Sequence, residues 1–259
     1  MSVSISKRYS LIENADMVIV SAGMQKSGSA YIYNIINDLN ISIGHPDARV
    51  VKEQHGLENI MQWHNNNVGS LDKELLKRLV DISKTAGPFV IKTHGGPTAY
   101  LDRLNFFGKA KTIYIYRDPR DVIISAMDHG KKIIAAGESH TFAGMVSFDD
   151  AFQHVKLWVE IWREYNARKR VLKIRYEDMM SNPKKEVERI LKHLGITVSA
   201  ETVEQILFKY DKNNKEANMK GLHFNKGVTE RYRDELTADQ IKRFSNELGN
   251  ELRLMGYSL

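Results

Sequence analysis

The sequence predicts an α/β fold, a single domain over residues 1–259 with a mostly parallel central sheet, helices on both faces and a P-loop-like turn after the first strand. Two observations carry this. Short β-branched runs at Met17–Val20, within Pro88–Pro97, at Lys111–Tyr116 and at Val171–Ile174 alternate with segments whose apolar residues recur at helical spacing. Such alternation requires crossovers between parallel strands. No internal repeat or linker-like shift divides the chain, and its 42% hydrophobic content is enough for one sizeable core.

In order, residues 1–16 read as a lead-in against the sheet edge, and Met17 to Val20 as a buried strand. The loop Gly23-Met24-Gln25-Lys26-Ser27-Gly28 follows, then a helix marked by Tyr31, Ile32, Ile35, Ile36 and Leu39. A strand–loop–helix unit aims backbone N–H groups and a positive helix end at one spot, which suits phosphate or sulfate. Gly23 and Gly28 have Walker A spacing, but Ser29-Ala30 stand where Lys-Ser or Lys-Thr would follow, and the lysine lies inside the loop at Lys26. Ile41 to Ile43 is expected as a brief strand, and polar His45 to Val68, with three consecutive asparagines, as a surface insertion. Leu71, Leu75, Leu76, Leu79 and Ile82 mark an amphipathic helix capped by Ser70 and closed by Gly87-Pro88.

Pro88 to Pro97 is a strand entering a glycine-rich loop, and Lys111 to Tyr116 a third strand ending in Arg117-Asp118-Pro119. There Asp118 caps a helix whose first position suits Pro119. Gly137 to Ser147 is a polar loop near the site, and the following helix buries Trp158 and Trp162 as core. Val171 to Ile174 is the fourth strand. Asn182-Pro183 opens a helix closed by Gly195, residues Asp211 to Lys226 are polar, and Thr237 with Gln240 forms a capping box.

The chain has no cysteine, so disulfides and thiolate metal sites are excluded. A formal charge of +6 favours anionic ligands. Its basic residues are interspersed with 32 acids rather than gathered in tracts, which points away from nucleic acid and toward a small anion in a pocket. No apolar run is long enough to span a bilayer and residues 1–16 lack a signal-peptide pattern, so the expected location is the cytoplasm.

In open parallel sheets ligands bind beyond the carboxyl ends of the strands. Those ends carry Lys26, Lys92 with His94, Arg117 with Ser125 eight residues on, and Tyr176. Carboxylates placed as magnesium ligands are missing, which weighs against a kinase mechanism. Each residue has a plainer reading: Lys26 as a solvated charge, His94 as a satisfied strand-end histidine, Arg117 paired with Asp118 or Asp121, Tyr176 as packing. His45, His55, His64, His140 and His223 show no metal-ligand spacing, and no metal is expected.

Taken together these blocks resemble the cytosolic-type sulfotransferases that use 3′-phosphoadenosine 5′-phosphosulfate (PAPS). Lys26-Ser27-Gly28-Ser29-Ala30-Tyr31 is similar to their 5′-phosphosulfate loop, and Lys92-Thr93-His94 to their Lys-Thr-His segment. Tyr116 to Ser125 resembles their 3′-phosphate strand and helix, Tyr176-Glu177-Asp178-Met179 with Asn182-Pro183 a further block, and Lys226-Gly227 part of their terminal Arg-Lys-Gly motif. The blocks fall in family order. Ala30 replaces a hydroxyl residue, Tyr31 and Tyr232 replace tryptophans, Asn225 replaces the terminal arginine, and Lys242 replaces a glutamate of the animal dimerisation segment. The resemblance implies sulfuryl transfer from PAPS to a hydroxyl or amine of a small-molecule or glycan acceptor, yielding 3′,5′-adenosine bisphosphate. His94 would be the general base, Lys26 and Lys92 the charge stabilisers, and Lys26 to Tyr31, Arg117, Ser125, Tyr176, Lys226 and Gly227 the donor site. Arg231 or Arg233 is expected to supply the charge missing at Asn225. The alternatives are a small-molecule kinase and a catalytically silent nucleotide-binding module. Acceptor identity and oligomeric state stay open.

Overall fold

The computed structural model describes residues 16–63, 65–138, 140–211, 214 and 228–259. Among these residues five strands form one sheet: β1 (Val18–Gly23), β2 (Asn67–Val68), β3 (Phe89–Thr93), β4 (Ala110–Tyr116) and β5 (Val171–Arg175). Their spatial order is β2–β3–β1–β4–β5, and every neighbouring pair is parallel. After β1 come α1 (Ser29–Ser42) and α2 (Ala48–Gln54), after β2 comes α3 (Lys73–Ala86), and after β3 comes α4 (Ala99–Phe106). β4 leads into α5 (Pro119–Ala135), a 3-10 turn (Thr141–Gly144) and α6 (Phe148–Asn166). α7 (Tyr176–Ser181), α8 (Pro183–Leu194), α9 (Ala200–Lys209), α10 (Tyr232–Glu235) and α11 (Ala238–Leu254) follow β5.

Period-two alternation along each strand divides the core into two layers. Val18, Val20, Ala22, Phe89, Ile91 and Tyr114 face α2 to α6 and α11. Ile19, Val90, Ile113, Ile115 and Ile174 face α1, α8 and α9. Trp158 and Trp162 are buried in the first layer, as their spacing on one helix face requires.

Local chemistry explains the helix ends. Asp118 accepts from the Arg120 amide at 2.9 Å with Pro119 beside it, and Asn182 caps α8 through the Lys185 amide at 3.2 Å. Thr237 and Gln240 complete their box at 3.3 and 2.9 Å.

Several expectations are corrected. Ile41 and Ser42 close α1 instead of forming a strand. The stretch from His45 to Val68 holds α2 and β2, and it buries Ala48, Val51, Leu57, Met61 and Val68, too much apolar surface for a solvated insertion. α3 is capped by Asp72, which accepts from the Leu75 amide at 2.8 Å, two residues beyond the serine that was expected to serve. Its charged oxygen is the stronger acceptor for a positive helix end.

Candidate active site

The loop joining β1 to α1 turns on two left-handed residues, Lys26 at φ 63° and Gly28 at φ 78°. Lys26 adopts a conformation that costs a non-glycine residue energy, the kind of strain retained where a loop is shaped for a ligand. A Cβ at Gly28 would lie 2.9 Å from the Tyr176 ring, so position 28 needs glycine for its φ and for this approach. The buried Ser27 hydroxyl braces the loop, donating to the carbonyls of Met24 at 2.5 Å and Ile115 at 3.3 Å. As N-cap of α1, Gly28 supplies no side-chain oxygen, and the first turn contains no acidic residue. The positive end of a 14-residue helix therefore has neither a side-chain cap nor a first-turn carboxylate, an arrangement that suits an anion. Ser29 and Ala30 open this helix, and Tyr31 is buried in the layer beneath it.

The β1–β3 pairing brings Lys92 and His94 to the same strand ends. The His94 Nδ1 lies 2.6 Å from the Gly23 carbonyl oxygen, and its Nε2 lies 2.7 Å from Lys92 Nζ and 3.4 Å from Ser29 Oγ. A carbonyl only accepts, so the ring proton sits on Nδ1 and Nε2 carries the lone pair. Burial, then the neighbouring Lys92 charge, pushes the His94 pKa well down against the pull of the Gly23 carbonyl, which keeps the ring neutral. Burial also lowers Lys92, to about 7. Its Nζ additionally donates to Asn67 Oδ1 at 3.3 Å. The turn after β3 is held from two sides: the Thr93 hydroxyl donates to the Val68 carbonyl at 2.8 Å, and Tyr165 donates to the Gly95 carbonyl at 3.0 Å.

Lys26 reaches across this site to rest its Nζ 5.1 Å from the centre of the Phe142 ring. Burial brings its pKa down to about 8, with Lys132 and Arg117 adding to the effect and Asp128 opposing it. Phe142 is itself wedged between His129 at 4.9 Å and Trp158 at 6.0 Å, with His140 stacked on it at 5.5 Å. The whole turn lies tight on α5 because Gly130 has no Cβ; one would stand 2.4 Å from the Phe142 carbonyl.

Arg117 follows β4. Its Nη2 donates to Asp121 at 2.9 Å and to the Val228 carbonyl at 2.6 Å, while the guanidinium lies 4.5 Å from the Tyr176 ring centre. The pairing with Asp121 that was weighed as the plainer reading is present. Yet Arg117 Nε is buried without a partner among the described residues. An unsatisfied buried donor costs about 1–3 kcal/mol, so an acceptor oxygen at this point has energy to gain. Ser125 is buried one helical stretch away on α5. Lys226, Gly227 and Asn225 lie outside the described residues. Arg231, expected to cover for Asn225, is held by Asp128 at 2.7 Å and Glu235 at 2.9 Å. Arg233 is exposed and paired with Glu230.

Sequence pattern does not mark two residues of the site, and it marks a third only in part. Asn67 sat within an asparagine run that looked solvated, and Phe142 within a polar loop. Asp121 was weighed only as a partner for Arg117, although its buried carboxylate also accepts from the backbone amides of Glu230 at 2.8 Å and Tyr232 at 3.1 Å.

Residues 15–256 match the family model described as the sulfotransferase domain. Sulfotransferase 1A1 of Canis lupus familiaris is 30% identical over 200 residues, which cover 68% of this chain and 66% of that protein. The alignment with sulfotransferase 1A1 of Mus musculus, 35% identical, takes in 54% of this chain and only 50% of that protein. Sulfotransferase 1 family member D1 of Mus musculus is 27% identical over 94% of this chain and 87% of its own length. Among solved structures, retinol dehydratase in complex with androsterone and the inactive cofactor PAP superposes with a TM-score of 0.57 at 21% identity, covering 93% of this chain and 83% of that one. Mouse sulfotransferase SULT7A1 complexed with PAP gives 0.56 at 20% identity, over 95% and 91%. At these identities the structural likeness concerns the fold, while the sequence match runs from before β1 to beyond α11, and by that match the chain belongs to the sulfotransferase domain family.

Proposed function

We propose that this chain moves a sulfuryl group from PAPS to a hydroxyl or amine of a small-molecule or glycan acceptor, with His94 as general base. The observation that carries this reading is the tautomer of His94: Nδ1 is committed to the Gly23 carbonyl, so a neutral Nε2 is presented beside two lysines. The co-substrate supplies an activated sulfuryl group on a 5′-phosphate leaving group. The acceptor oxygen or nitrogen forms a bond to sulfur, the sulfur–phosphate oxygen bond breaks, and the acceptor proton passes to His94 Nε2. General-base help of this kind contributes about 10²–10⁴ in rate.

Lys26 and Lys92 face the group being transferred and balance negative charge on it and on the departing phosphate. The β1–α1 loop with the start of α1 suits the 5′-phosphosulfate, and Arg117 with Ser125 suits the 3′-phosphate. Tyr176 packs against both Gly28 and Arg117, which joins the two phosphate subsites. Burial does most to keep His94 neutral and the Lys92 and Lys26 charges add to it; an anionic donor in the loop would offset the lysine part, which raises the ring's basicity in the occupied site.

The test is calorimetric titration without magnesium. 3′,5′-Adenosine bisphosphate should bind at least about a hundredfold more tightly than AMP, since charge-assisted hydrogen bonds to one phosphate are worth about 1.5–3 kcal/mol each. Equal affinities would sink the reading. His94→Ala should keep bisphosphate affinity and lose most turnover with labelled PAPS across an acceptor panel; retained turnover would make His94 structural.

A further inference from the structure

We propose that the sheet edge opposite the active site carries a docking surface for anionic lipid headgroups, centred on Phe106 and Phe107. These rings end α4 and are each 62% exposed, edge to face with centroids 5.1 Å apart. Two neighbouring exposed phenylalanines cost a solvated protein free energy that only a partner returns.

The surroundings say what the partner is. Arg170 lies 4.7 Å from the centre of the Phe106 ring and Arg103 lies 5.8 Å from that of Phe107. Arg170 immediately precedes β5 and Phe107 lies three residues before β4, so a parallel sheet brings both to its amino-terminal edge. Two further cations here are matched, Lys109 by Asp16 and Arg168 by Asp102. Arg103, Lys169 and Arg170 have no carboxylate partner among the described residues, so the local excess of charge is positive. In sequence these basic residues fall in two unremarkable groups about sixty positions apart; the topology makes them one patch.

Arginine on the ring faces favours lipid over nucleic acid. A base needs an open aromatic face to stack on, and each of these rings already has an arginine against one face. The exposed rings at the end of α4 can enter a headgroup layer while the guanidinium groups beside them stay at phosphate level. The surface lies away from the strand ends that hold Lys26 and His94, so its test is independent of the sulfotransfer reading.

The experiment is flotation of the full-length protein with vesicles of phosphatidylcholine alone or with about one-third phosphatidylserine, at about 0.1 M salt. Binding to the anionic vesicles is expected, with little to the neutral ones. Arg103→Glu with Arg170→Glu should lower it by about twentyfold or more, since each basic residue near such a surface contributes about a fivefold factor. Phe106→Ser with Phe107→Ser should lower it comparably at an unchanged circular-dichroism spectrum and a retained cooperative thermal transition, which shows the variant is folded. In Phe107→Trp, the indole emission should shift to the blue on anionic vesicles and be quenched by brominated lipid. Absence of wild-type flotation, or flotation indifferent to the phenylalanine pair, overturns the proposal. So does single-stranded oligonucleotide binding or self-association lost in the same variants, since either gives the face to another partner.

Discussion

At Lys26 an ammonium group sits on an aromatic face, deep enough for burial to bring its pKa to about 8. The sign of the pH effect follows. An anionic ligand favours the charged lysines, so bisphosphate affinity should fall as pH rises through about 7, where Lys92 loses its proton, and further through about 8, where Lys26 does. Binding near pH 8 should take up protons, visible by calorimetry as a dependence of the binding heat on the buffer's ionisation enthalpy. A pH-independent affinity between 7 and 9 would place Lys26 outside the donor site. Phe142→Leu retains the apolar volume but removes the ring quadrupole that favours the cation. It should weaken bisphosphate binding about three- to thirtyfold and move the alkaline limb to lower pH. Lys26 was legible as a residue of the loop after β1. Phe142 was not, because an i-to-j aromatic contact across 116 positions leaves no periodic trace between two otherwise polar segments.

The first turn of α5 shows how much one element can organise. Asp121 takes Arg117 and two amides of the segment leading into α10, while Asp118 takes Arg120, whose guanidinium lies 4.0 Å from the Tyr232 ring centre. Asp121→Asn keeps the shape and removes the charge that balances a buried arginine. Urea unfolding should show a loss of about 3 kcal/mol, and bisphosphate affinity should fall while AMP affinity changes less. Equal loss for both nucleotides would make Asp121 a stability residue alone. The start of this helix was readable because an aspartate cap followed by proline is local chemistry. So were β1, β3, β4 and β5, whose β-branched runs lie between turn signals. β2 was missed because two residues, Asn67 and Val68, carry no pattern and are made a strand only by β3 beside them. α9 escaped for a related reason: it buries only Val203 and Ile206 while Phe208 is exposed, and it is held by α1 and α8 rather than by a clear apolar stripe.

Across the molecule the sheet separates two apolar layers, and β1 lies at its centre with the loop, His94 and Arg117 gathered at one end. The layers share β1, β3, β4 and β5, so thermal unfolding should be a single transition. A saturating bisphosphate should raise its midpoint, with about 2.7 kcal/mol of added stability at a hundredfold excess over Kd. Two resolved transitions, with only one responding to ligand, would mean that the layers melt apart. The fold class and the convergence of four strand ends were visible in the sequence because both follow from alternation of elements. The clustering of Asn67 on Lys92 was not, since it depends on strand order. The hydrogen bond from His94 to the Gly23 carbonyl has a bearing on how such a protein diversifies. It fastens the proposed general base, one residue past β3, to the end of β1 where the proposed donor loop begins, and the paired register Ala22 to Thr93 keeps their separation constant. Chemistry thus has its own frame. The excursion through α2 lies outside that frame, so insertions and exchanges there can drift the choice of acceptor across descendants while the proposed reaction is inherited unaltered.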